Sequence, residues 1–215
     1  MFLPPTSTRL SVAERHPYAT RRPKLNLTQL RSMTPRQPVK FSRSLQLARE
    51  QADLLIEHAQ RSNSGILMAI TRMHKVRIDY VVGQRLRGAS FWDTRAKQWV
   101  IQVNWDDHWK SQLFAVAHEF KYILDYTHTD VLYQGSHTMS ATCEASCAAY
   151  YFARYLLMPD DQLIEAVNSG VTDTADLADR FGVTEDIAQE RLNDLRLRVH
   201  PKPGLRLLMA DRSPA

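Results

Sequence analysis

Cysteine is nearly missing from this chain of 215 residues, with only Cys143 and Cys147 present. A spacing of four puts them one helical turn apart on one face, which suits neighbouring thiols or metal ligands better than a loop-closing disulfide. The plainer reading is two small residues in a packed helix. Long apolar runs are also missing. "ILMAI" at 66–70 and "LFAVA" at 113–117 are the longest, and both are far too short to cross a bilayer. "MFLPPTSTRL" has an early double proline and no apolar stretch of signal-peptide length, so a cytoplasmic protein without a membrane partner is expected. Acids are missing from the first 40 residues, where Glu14 alone faces Arg9, Arg15, Arg21, Arg22, Lys24, Arg31, Arg36 and Lys40. That segment carries +7 of a net charge of +5, so the remainder is slightly acidic.

The same 40 residues hold six of the ten prolines. Residues 1–40 therefore read as a basic, proline-rich disordered arm, able to meet nucleic acid electrostatically but without a pattern that supports specificity. The apolar content, 44%, is that of an ordinary soluble core, enough for one domain with a small appendage.

Order is expected from about Ser42, where Leu45, Ala48, Ala52, Leu55, Ile56 and Ala59 recur at helical spacing until Gly65. "VRIDYVV" (76–82), "ASFWD" (89–93) and "WVIQV" (99–103) read as strands, and their spacing suggests a small antiparallel sheet. Asp106 or Asp107 can cap a helix running to about Tyr126, and Ser140 can cap a second, ending before Pro159. The last third is helical. These divisions give a body at 41–160, a helical subdomain at 161–200 and a tail at 201–215.

"AHEFKYILDY" (117–126) carries the chemistry. Two His at i and i+4 on a helix can hold one zinc, and a Glu after the first takes a proton from the metal-bound water, whose pKa falls to about 7. Here His118 and Glu119 are present, but Tyr122 stands where the second His belongs.

"FAVAHEFKYILDYTHTDVLYQ", "YYFARYLLMPDDQL" and "LADRFGVTEDIAQERL" together resemble the ImmA/IrrE family of metallopeptidases, over about Pro38 to Leu197. The resemblance implies an α+β fold in which a small antiparallel sheet packs on a zincin-like active-site helix, with a helical subdomain following. It also implies zinc, a cytoplasmic regulatory role beside phage-type or stress-response repressors, and a helix-turn-helix repressor as protein partner. By the same resemblance His118 is the first zinc ligand and Glu119 the catalytic base. The third ligand, a Glu in many members, falls on Ala148, and the nearest carboxylate is Glu144, one turn earlier. Cys143, Cys147, His128 and His137 are possible substitute ligands.

Three readings follow: an active zinc metalloendopeptidase cutting a repressor through an altered site, a rebuilt metal site, or a peptidase fold that binds without zinc hydrolysis. Tyr122, a phenol with a pKa near 10, favours the last. "TADLADRFGVTEDIAQERLNDL" also looks like a helix-turn-helix. Its second helix sets Glu185, Asp186, Glu190 and Asp194 against Arg191 and Arg196, a charge that opposes DNA, so direct DNA binding by it is not expected.

Overall fold

The computed structural model describes residues 25–171 and 173–197. Nine helices and three strands occur among them. In chain order they are α1 Leu27–Arg31, α2 Phe41–Arg61, α3 Ile66–Thr71, β1 Val76–Val81, β2 Gly88–Asp93, β3 Gln98–Asn104, α4 Trp109–Asp125, α5 Thr129–Leu132, α6 Ala141–Leu157, α7 Asp160–Asn168, α8 Thr174–Phe181 and α9 Glu185–Asp194. The class is α+β, and no described helix is long and apolar enough to cross a membrane.

The sheet is mixed, not wholly antiparallel as expected. Its order is β1-β3-β2, with β3 parallel to β1 and antiparallel to β2. The cause is burial. β3 hides Trp99, Val100, Ile101 and Val103 on both faces, which suits a central strand. β1 and β2 expose Tyr80, Phe91 and Trp92 and take the edges. The segment 82–87 therefore carries the chain past the place that β3 fills.

Order also begins earlier than the composition suggested. Asn26 and Gln29 form a reciprocal capping box, each side chain accepting from the other's backbone N–H at 3.0 Å, and this starts α1. Leu30 is fully buried. The Leu30 carbonyl accepts from Gln51 Nε2 at 3.0 Å, and Arg31 Nη2 donates to the Ile123 carbonyl. Residues 25–40 thus belong to the folded body, while the rest of the expected arm, residues 198–200 of the expected helical subdomain and the tail at 201–215 lie outside the described residues.

α4 is the central element. One side packs on β2 and β3, the other on α6, and α6 packs in turn on α2. Its N-cap is His108, whose Nδ1 accepts from Lys110 N, not Asp106 or Asp107. Gln112 Nε2 donates to the carbonyls of Asn104, Trp105 and Asp107 at 2.9–3.2 Å, which ties the β3–α4 connection to the helix. Below the site, Lys121 is wholly buried. Its ammonium bonds Asp125 Oδ1 at 2.7 Å and Gln51 Oε1 at 2.8 Å, and Tyr133 donates to Asp125 Oδ2 at 2.6 Å. Burial lowers the Lys121 pKa against the pull of Asp125.

The helices beyond residue 160 share this core. Leu177, Ala178, Ile187, Ala188 and Leu192 join the cluster that holds Phe120 and Phe152. Gly182, left-handed at φ 66°, turns α8 into α9 directly over Trp109, where a Cβ would stand 3.0 Å from the indole. Arg191 closes the other end, donating to the Met158 carbonyl at 2.9 Å and to Asp160. The helix-turn-helix-like pair is therefore a packed part of the body.

Candidate functional site

His118 and Glu119 open into a cleft of about 370 Å³ between the start of β2, α4, α6 and the N-terminus of α9. Leu86, Phe114, Ala115, Tyr150 and Ile187 make it largely apolar, and Arg87, His118, Glu119 and Asp186 supply its charge. The Glu119 carboxylate, only 8% exposed, accepts from Ser90 Oγ at 2.8 Å, and its other oxygen lies 3.2 Å from His118 Nδ1. Gly88 lets β2 lie this close to α4: a Cβ there would come 2.9 Å from Glu119 Cγ and 3.3 Å from Ala115 Cβ. Ser90 and Gly88 were missed in the sequence, where "ASFWD" (89–93) reads only as a strand.

Tyr122 follows His118 by one turn. The rings meet edge-on with centroids 5.2 Å apart, and Phe114 stacks on the other side of His118 at 6.3 Å. The row Phe114–His118–Tyr122 is thus the packed spine of α4 facing α6. Half-burial raises the Tyr122 pKa, opposed by a hydrogen bond with Ser146 on α6, so the phenol stays protonated and is a poor metal ligand.

The remaining predicted donors do not gather here. Ser146 and Tyr150, one turn apart on α6, face α4: Ser146 lies near the Tyr122 hydroxyl, and Tyr150 packs on Phe114 at 5.3 Å. Ala148, two residues on from Ser146, points to the far side, into a small core with Leu47, Leu132 and Tyr133. Glu144 shares that side and accepts from Gly135 N at 2.9 Å, holding the loop before α6. Cys143 and Cys147 are exposed. His128 pairs with Thr127 Oγ1 at 3.0 Å at the start of α5, and His137 lies exposed in the next loop. Among the described residues no three His, Cys, Asp or Glu converge as a metal site would require. One imidazole beside a carboxylate bonded to serine does not fit a catalytic zinc, which needs three protein ligands.

A helix that carries His-Glu into a cleft beside a small sheet defines a metallopeptidase-like domain. Residues 71–193 match the family model Peptidase_M78, the IrrE N-terminal-like domain, and the chain belongs to that family. No individual curated protein matches the chain. α1 and α2 lie outside the matched span, although Leu30, Ala48 and Leu55 are buried in the same core.

Proposed function

We propose that this chain is a protein-binding member of its family, with zinc hydrolysis lost. The observation that carries this reading is Tyr122. At the second-ligand position it is a phenol that packs on His118 and that burial keeps protonated. The cleft itself is kept, with an apolar lining and a buried carboxylate, and a groove outlives the loss of chemistry when its walls are core elements. Family membership points to a helix-turn-helix repressor or similar protein as the occupant, and to a regulatory role in transcription in the cytoplasm. The test is metal quantification on purified full-length protein, beside a cleavage assay with and without added zinc. Clearly less than one zinc per chain and no zinc-dependent cleavage are expected. About one tightly held zinc per chain, abolished by His118→Ala, would overturn the reading in favour of an altered but working metal site.

A further inference from the structure

A second concavity lies at the other end of α4, away from the cleft. It has a volume of about 720 Å³, within the range of roughly 300–1,000 Å³ typical of small-molecule sites. α1 forms one wall, the turn before β1 the floor, and the β2–β3 hairpin the other wall. Its chemistry is unlike that of the cleft. Arg31, His74 and Lys75 line it; no carboxylate is among its described lining residues, although Asp125 lies within Coulombic reach of Arg31. His74 and Lys75 are exposed, as is Arg72 just before them. The aromatic wall is Trp92 and Trp99, edge-on at 5.4 Å, with Tyr126 edge-on to Trp99 at 4.8 Å behind them. Arg31 Cζ lies 5.4 Å over the Trp99 ring, which fixes both groups. Trp92 keeps 37% of its surface exposed, so part of its ring is open to the groove. Asn26, Thr28 and Ser32 add hydrogen-bonding groups on the α1 side. In the sequence, Arg21, Arg22 and Lys24 come immediately before Leu25.

Each feature selects a part of one ligand. The excess of cations, with exposed His74 and Lys75, selects an anion. An open indole selects a flat ring, because base–aromatic stacking is favourable for every base. Short polar side chains suit a sugar or a base edge. We propose that this groove binds a nucleotide unit, free or within a single strand, with its base on Trp92 and its phosphate toward Lys75, His74 and Arg31. The site is separate from the acidic α9 and from the His118 cleft, and it stands whether or not the cleft reading does.

The test uses the full chain, with a labelled oligothymidylate followed by anisotropy and by tryptophan fluorescence. Trp92→Ala is expected to weaken binding about tenfold, and Trp92→Phe to recover most of it. Lys75→Glu, on an exposed side chain that leaves the fold intact, is expected to weaken binding several-fold and to flatten its salt dependence; it decides the matter if Trp92→Ala melts early. Adenosine monophosphate quenching the indoles as strongly as the oligonucleotide would assign the site to free nucleotides, and quenching by the strand alone would assign it to single-stranded nucleic acid. The proposal is overturned if neither binds, or if binding is unchanged in Trp92→Ala and Lys75→Glu, which would leave it to the basic segment before Leu25. It is equally overturned if polyglutamate or duplex DNA competes as well as the single strand, since neither offers an unstacked base.

Discussion

The rings of His118 and Tyr122, one helical turn apart on α4, meet edge-on with centroids 5.2 Å apart. A packed phenol thus occupies the position that the family's second metal ligand holds by resemblance. Ala148, the family's carboxylate position by resemblance, is buried in a small core with Leu47 and Leu132.

Zinc affinity should follow that geometry. Because Ser146 lies near the Tyr122 hydroxyl, Tyr122→His combined with Ser146→Glu is expected to raise zinc affinity about a hundredfold or more over wild type. Tyr122→His with Ala148→Glu is expected to do no better than Tyr122→His alone, and to be less stable, because it drives a carboxylate into a dry cluster. Competition titration with a zinc chelator separates the three variants. Equal gains for the 146 and 148 pairs would mean that α6 is rotated relative to this account.

Close approach at Gly88 gives a stability test of the cleft. Gly88→Ala would set a methyl 2.9 Å from Glu119 Cγ, on a buried side chain already committed to Ser90. Either β2 lifts from α4 or Glu119 leaves its serine. A loss of about 1–3 kcal/mol in urea unfolding is expected. Ser90→Ala frees only one acceptor and should cost about 1 kcal/mol. An unchanged midpoint for Gly88→Ala would show that β2 does not rest on the helix here.

Much of this fold was legible in the sequence because its signals are local. The periods of α2, α4 and α6 and the β-branched runs of the strands stand within each segment, and Ser140 caps α6 as its type suggests, accepting from Cys143 N at 3.2 Å. What was not legible depends on partners. The parallel pairing of β1 with β3 follows from β3 being buried on both faces, which no single strand pattern states. α1 was hidden because proline and basic residues surround one core leucine, Leu30, whose burial is set by α2 and α4. Within the site, the burial of Ala148 against Leu47 and Leu132 depends on elements distant in sequence and could not be read from its spacing.

Leu30 carries a prediction of its own. It is fully buried, and its carbonyl satisfies the Gln51 amide that also holds Lys121. Leu30→Ala is expected to cost about 2–5 kcal/mol. Deleting residues 1–40 should cost at least as much, since it also strips the partner of a buried amide. A truncated chain with the wild-type melting temperature would show that α1 contributes nothing to the fold.

The buried network under α4 sets the pH dependence. Burial, with the Asp125 carboxylate beside it, keeps the Tyr133 phenol protonated well above its ordinary range, and Tyr150 is pushed up to about 12, first by burial and then by Glu190. In the unfolded chain a tyrosine loses its proton near pH 10. Above that pH the folded state holds more protons than the unfolded state, so stability falls as pH rises. Lys121 acts in the opposite sense. Its lowered pKa means that, below the ordinary lysine value near 10.4, the unfolded chain holds more protons, so its contribution rises with pH up to that point. Stability should therefore turn over near pH 10 and decline beyond it. Tyr133→Phe removes one proton from the alkaline limb, and its slope should become shallower by about 1.4 kcal/mol per pH unit. At neutral pH the same change should cost about 1–3 kcal/mol, because Asp125 loses a donor while Lys121 remains its counter-ion. Urea unfolding of both proteins from pH 7 to pH 11 measures both effects, and parallel alkaline limbs would show that Tyr133 ionises as freely in the folded state as in the unfolded one.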